Sequence, residues 1–237
     1  MTTGAPHLHL RLLSLNCLGV PFMANTRARL ATLARILDAS DLDVVCLQEV
    51  QFSGYLPLLR RALPSFPHVA FVPFLHAPKG GVVTFSRWPI QDCHFTLYTA
   101  RGPLYTPAVA DWLLHKGMLT ANLVVRDVPV AVLNTHLLAN YSADWSPYNR
   151  YARQQQAELA ELEAVVNAVD AERVTVLAGD FNIPRGSWLY DAFVHGTGLR
   201  DLLAGSAEPT YRRAFLMPHR YAPATDSVFA RPPRDRP

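Results

Sequence analysis

The sequence predicts an α/β (α+β) fold, and three observations carry that expectation. Apolar, β-branched runs of strand length recur along the chain, segments with helical period separate them, and several runs stop at one polar residue. The 237 residues, half of them apolar, are enough to bury a sizeable core. No internal repeat or low-complexity linker interrupts them, so one domain spanning 1–237 is expected.

In chain order, Leu8 to Leu15 alternates and then runs apolar, ending at Ser14-Leu15-Asn16-Cys17-Leu18-Gly19. Thr26 to Leu37 sets Leu30, Leu33, Ala34 and Leu37 on one side, the period of a helix. Asp41-Leu-Asp-Val-Val-Cys-Leu-Gln48-Glu49 reads as a buried strand ending in a carboxylate. Tyr55 to Leu63 reads as a short helix stopped by Pro64. Val69 to Phe74 and Gly81 to Phe85 read as strands around a Pro-Lys-Gly-Gly turn, with a further strand from Cys93 to Leu97. Gly117 to Val125 and Val128 to Asn134 form a hairpin turning near Arg126-Asp127, followed by Thr135-His136-Leu137.

The longest helix is expected from about Tyr148 to Val169, rich in Ala, Gln, Glu and Leu. It leads into Val174-Thr-Val-Leu-Ala-Gly179-Asp180-Phe181-Asn182, a strand with a carboxylate and a carboxamide beyond its glycine. If the chain stays extended there, Asp180 and Asn182 point the same way and offer an acceptor and a donor to one group; the plainer alternative is a turn. A short helix around Trp188 to Val194, a loop with Thr197-Gly198-Leu199-Arg200-Asp201, and a last strand with Asp226 in its middle complete the pattern, before an Arg-Pro tail expected to be disordered.

Composition narrows the class of function. The 22 Lys and Arg against 19 Asp and Glu leave a formal charge of +3 without a basic stripe, which suits an anionic or zwitterionic ligand and does not announce nucleic acid. Cys17, Cys46 and Cys93 form no CxxC pair and are expected as reduced core thiols. No run reaches the ~18 apolar residues of a membrane span. The N-terminus lacks the regions of a signal peptide, so a cytoplasmic monomer is the expectation, although a mature secreted form would read the same.

Asn16, Glu49, His136 and Asp180 each close an apolar strand, and Asp226 sits in another. Polar groups there cost desolvation unless they are paired or bind a ligand, so convergence on one site is the economical reading. The ordered set Leu13-Ser14-Leu15-Asn16, Leu47-Gln48-Glu49-Val50, Phe85-Ser86-Arg87-Trp88-Pro89-Ile90, Asn134-Thr135-His136-Leu137, Gly179-Asp180-Phe181-Asn182 and Thr225-Asp226-Ser227-Val228-Phe229 resembles the endonuclease/exonuclease/phosphatase superfamily. Those metal-dependent phosphoesterases include deoxyribonuclease I, apurinic endonucleases, inositol phosphatases and neutral sphingomyelinases. Ser14 to Pro21 with the Arg-bearing helix after it, Asn134 to Tyr141, and Thr197 to Asp201 look most like neutral sphingomyelinases.

The resemblance implies a four-layer, deoxyribonuclease I-like sandwich of two mixed β-sheets flanked by helices. It implies Glu49 as a ligand of Mg²⁺, with Mn²⁺ as the alternative ion, and Asn16 supporting the metal or the phosphate. Asp180 would orient or deprotonate the attacking water, while Asn182 and His136 would bind the phosphoryl oxygens as charge builds on them. The family closes with a Ser-Asp-His segment whose His pairs with the equivalent of Asp226. These 237 residues do not contain it, and His219 stands in the wrong order to replace it. A segment lying downstream is the expectation, with a site weakened or lost as the alternative.

Innocent roles compete at several positions. Asn16 could be a turn residue, His136 a satisfied core histidine, and Asp226 a loop cap. His68, His76, His94, His115, His195 and His219 lack metal-ligand spacing and read as surface or structural. Lys116 and the Lys79-Gly80-Gly81 turn could approach phosphate. Arg150, Tyr151 and Gln154 could buttress the site, and Tyr141, Trp145 and Tyr148 could meet substrate or a lipid interface or simply pack. The resulting expectation is a phosphodiesterase acting on a lipid headgroup, in peripheral contact with a membrane. A deoxyribonuclease-like or repair-type nuclease, or a catalytically impaired phospholigand binder, are the alternatives.

Overall fold

The structure is a computed structural model and describes residues 9–21, 23–100, 115–206, 210 and 226–233. Among these, the first strand, β1 (Leu12–Gly19), lies parallel to β2 (Val44–Val50). With β3 (His68–Ala70) and β4 (Val83–Ser86) they form a sheet in the order β1-β2-β4-β3. The second sheet holds β5 (Ile90–Leu97), β6 (Gly117–Val125), β7 (Val128–His136), β8 (Val174–Asp180), β9 (Arg200–Asp201) and β10 (Asp226–Arg231), in the order β5-β6-β7-β8-β10-β9. Both sheets are mixed, since β1/β2 and β7/β8 are parallel pairs among antiparallel neighbours.

Three apolar layers explain the stacking. Val44, Cys46, Leu119, Val132 and Val176 fill the space between the sheets. Outside the first sheet, Val45, Leu47 and Phe85 pack with Leu30, Ala34 and Leu59 from α1 (Thr26–Asp38) and α2 (Leu56–Ala62). Outside the second, Leu133, Leu177 and Phe229 pack with Leu159, Leu162 and Phe193 from α3 (Arg150–Ala168) and α4 (Trp188–Thr197). Strands apolar on both faces are what such a helix-sheet-sheet-helix sandwich demands, which is why β2 and β8 read as continuous apolar runs.

Local chemistry sets the ends. Asn149 caps α3 by accepting from Tyr151 and Ala152 N–H, and Ser187 caps α4. Arg126 and Asp127 both take positive φ, the geometry of the tight turn joining β6 to β7. The strand expected from Val69 to Phe74 stops at Ala70, because β3 is an edge strand and Pro73 and Pro78 flank an irregular loop held by one bridge. The expected Gly81 start of β4 moves to Val83, since Gly80 and Gly81 have φ of 65° and 63°. Asp226 opens β10 instead of sitting in its middle. Cys17 and Cys46 are buried thiols, but Cys93 is exposed on β5, correcting its expected place in the core. The Arg-Pro tail beyond residue 233, His219 and Thr225 lie outside the described residues.

Candidate active site

Parallel pairing of β1 with β2 and of β7 with β8 delivers four strand ends to one edge of the sandwich. Asn16 lies inside β1, three residues before its end, which corrects the expectation that it closes the strand. A bulge follows it, where the register with β2 shifts between Asn16 and Gly19 and Leu18 takes φ of 46°. Gly19 is required there, since a Cβ would stand 2.4 Å from the Glu49 carbonyl oxygen. Glu49 itself has φ of 59°, a costly conformation for a non-glycine residue and one that turns its carboxylate out of the regular alternation of β2.

The Asn16 side-chain nitrogen donates to Glu49 Oε1 at 2.8 Å and to Asp180 Oδ2 at 3.0 Å, bridging carboxylates from both sheets. Its oxygen accepts from Leu18 N–H at 3.0 Å. His136 Nε2 lies 3.8 Å from Asp180 Oδ2. That contact is not an ion pair, because burial, reinforced by the Lys116 ammonium, holds the His136 pKa well below its ordinary value and leaves the ring neutral. Burial pushes the Asp180 carboxyl up, opposed by Asn16, Lys116 and the Asn182 backbone N–H.

Asn182 corrects one premise of the sequence reading. Its φ is 53°, so the chain is not extended between Asp180 and Asn182. Asp180 Oδ1 instead accepts from Asn182 N–H at 3.1 Å, making the turn that stood as the plainer alternative. The turn and the site coexist: Asn182 Nδ2 donates to Leu137 O at 3.0 Å, which keeps the carboxamide beside His136. Asp226 is the ladder partner of Asp180 across β8 and β10, which puts its backbone at the same edge.

Several supporting residues escaped the sequence reading. Asn134, fully buried, accepts from Gln48 Nε2 at 2.8 Å and donates to Leu47 O and Val83 O, joining the two sheets one residue behind Glu49. The signal was present, because Gln48 and Asn134 are polar residues inside apolar runs. Gln155, not Gln154, buttresses the site: its Nε2 donates to Leu138 O at 2.8 Å and Asn182 O at 2.9 Å. Glu158, one turn on, accepts from Leu138 N–H. Lys116, which the sequence did mark as able to approach phosphate, is buried, and its Nζ donates to Leu137 O at 2.7 Å, close enough to bias both Asp180 and His136.

Other marked residues lie elsewhere. Ser86, Arg87 and Trp88 form a latch at the far end of β2, where Arg87 donates to Leu42 O and Ser40 O and Trp88 Nε1 to Asp43. Asp201 accepts from Arg185 Nε and Tyr190 OH, both at 2.8 Å, fixing the segment after Asn182. Trp145 packs on the core, and Tyr148 is exposed. Arg150 reaches the Tyr151 ring and hydroxyl.

The donor chemistry fits a hard divalent cation. Among the described residues no three His, Cys, Asp or Glu side chains gather. An ion would therefore rest on one or two carboxylates, water and substrate oxygens, which is how Mg²⁺ is usually held. Glu49 is the natural oxygen ligand, whereas Asn16 turns its nitrogen toward the carboxylates.

Residues 13–237 match the model of the endonuclease/exonuclease/phosphatase family, and the chain belongs to that family. It is 30% identical over 186 residues to sphingomyelin phosphodiesterase 2 of Homo sapiens, covering 74% of this chain and 41% of that protein. It is also 30% identical over 178 residues to inositol phosphosphingolipids phospholipase C of Schizosaccharomyces pombe, covering 73% and 41%. The chain thus spans less than half the length of these curated relatives. Its fold is similar to that of beta toxin from Staphylococcus aureus with bound magnesium ions, with a TM-score of 0.77, 16% identity and coverage of 96% and 86%. D. rerio TDP2 complexed with a single strand DNA product has the same fold, at a TM-score of 0.71, 17% identity and coverage of 96% and 86%.

Proposed function

We propose that this chain carries the catalytic site of a Mg²⁺-dependent phosphodiester hydrolase that releases a phosphocholine-type headgroup from a lipid. The observation that supports it most is the Asn16 bridge between Glu49 and Asp180, with His136 beside Asp180 on the same edge. Nothing in a packed core requires two carboxylates so close.

Asp180, its carboxyl pushed up by burial, is a better base than an exposed aspartate and takes the proton of the attacking water. Neutral His136 and the Asn182 carboxamide donate to the phosphoryl oxygens as their charge grows. Asn16 holds the carboxylates of Glu49 and Asp180 in register before substrate arrives. Gln155 and Lys116 fix the Leu137-Leu138 backbone, and with it His136 and Asn182. Mg²⁺ bound at Glu49 would neutralise phosphoryl charge.

Two lipid phosphodiesterases among the relatives, and a thinly spread charge of +3, favour a lipid headgroup over a nucleic-acid duplex. The test is a panel of sphingomyelin, inositol phosphates and DNA assayed with Mg²⁺. Phosphocholine release that disappears in Asp180→Ala supports the reading. Cleavage of DNA alone ends it.

A further inference from the structure

Successive carbonyls of a regular strand point to opposite sides, so one side chain does not ordinarily reach both. The bulge after Asn16 departs from this. Leu18 takes φ of 46°, and the carbonyls of Cys17 and Leu18 are met by the same residue, Arg29 in the first turn of α1. Arg29 donates from Nη1 to Cys17 O at 2.5 Å and from Nη2 to Leu18 O at 2.6 Å. A planar guanidinium has the fork that such a pair of acceptors needs, whereas a lysine offers one compact charge.

The peptide joining Cys17 to Leu18 is therefore held at both ends. Its carbonyl accepts from Arg29, and its N–H donates to Asn16 Oδ1 at 3.0 Å. With that oxygen engaged, Asn16 Nδ2 is left for Glu49 Oε1 at 2.8 Å and Asp180 Oδ2 at 3.0 Å. A carboxamide turned over would set its oxygen against two carboxylates and its nitrogen against an N–H, and all three bonds would be lost. The docking of α1 does not explain Arg29, because Thr26, Leu30, Ala34 and Leu37 supply the buried face while Arg29 is exposed.

We propose that Arg29 is a positioning residue of the site: by fixing the Cys17-Leu18 peptide it keeps the Asn16 carboxamide turned with its nitrogen toward Glu49 and Asp180. Its effect on turnover rests on the phosphodiesterase reading, whereas its effect on Asn16 does not. α1 thereby acts on the bridge between the two carboxylates without entering the site.

The experiment compares the full chain with Arg29→Ala, Arg29→Lys and, as a control on the same helix, Arg27→Ala, each verified as folded by thermal melting. The first readout is the Asn16 side-chain amide pair in a nitrogen-proton correlation spectrum, identified by its loss in Asn16→Ala. That pair shifts in both Arg29 variants and stays in place in Arg27→Ala. The second readout is phosphocholine release from sphingomyelin: kcat falls about tenfold to a hundredfold in both Arg29 variants with KM little changed. In an Asn16→Ala background Arg29→Ala costs little more, because both act through one carboxamide. An amide pair that stays in place in a folded Arg29 variant overturns the proposal, as do fully independent losses in the double variant. Restoration by lysine makes charge alone the cause and also overturns it, and a raised KM at constant kcat makes Arg29 a substrate contact instead. A displaced amide pair in a protein whose wild type releases no headgroup keeps the positioning role and removes the proposed reaction.

Discussion

Asn16 on β1 and Asp180 on β8 lie 164 positions apart in the chain, and one hydrogen bond of 3.0 Å joins them across the two sheets. Because that bond stabilises the ionised carboxylate, it opposes the effect of burial on Asp180. Asn16→Ala therefore moves the Asp180 pKa further upward. If Asp180 must be ionised to accept a proton, the acidic limb of kcat/KM moves to higher pH in the variant. A pH-rate profile of both proteins measures this, and an unmoved limb would remove Asp180 from the role of base.

His136 makes stability depend on pH. Its folded pKa lies below the ordinary 6.5, so between the two values the unfolded chain binds more protons than the native one. Stability is then complete above about 6.5 and falls as the pH drops through that window, by up to ~1.4 kcal/mol per pH unit. Urea unfolding at neutral and mildly acidic pH shows the slope, and His136→Gln flattens it.

Thiol reactivity separates the cysteines. Burial pushes Cys17 and Cys46 up to about 12, so neither supplies thiolate at neutral pH. Cys93 is exposed on β5. Titration with a disulfide reagent is expected to modify Cys93 alone in the native protein, and all three cysteines after denaturation.

Gln155 ties α3 to both loops of the candidate site through Leu138 O and Asn182 O. Gln155→Leu leaves a buried carbonyl at Leu138 and a partly buried one at Asn182 without that donor and costs about 2 kcal/mol, the size expected for losing such bonds. The left-handed backbone at Asn182 loses its support as well. Turnover is expected to fall more than substrate affinity, so steady-state kinetics beside thermal melting separate misplacement from general loosening.

Much of this was legible in the residues. The strands β2, β6, β7 and β8 and the helices α1 and α3 announced themselves because apolar periodicity is strongest where an element is buried on a defined face. Asn16, Glu49, His136 and Asp180 could be picked out because each is a polar group beside a buried run. The geometry of Asn182 could not, since a left-handed residue after a strand is set by the turn that Asp180 Oδ1 accepts, a tertiary detail without periodicity. Gln155 was missed by one position, because a polar residue on an Ala- and Gln-rich helix shows its direction only once the helix is docked. The shortness of β3 reflects its edge position and the two prolines, Pro73 and Pro78, that flank the loop after it, which the apolar run alone concealed.

Glu49 as the seat of a divalent ion beside Asp180 is the claim on which the proposed chemistry depends. Mn²⁺ binding, followed by electron paramagnetic resonance of the free ion, tests it without requiring turnover. One Mn²⁺ per chain, displaced by Mg²⁺ and weakened about tenfold to a hundredfold in Glu49→Gln, is the expected result. An isotherm that Glu49→Gln leaves unchanged would contradict it.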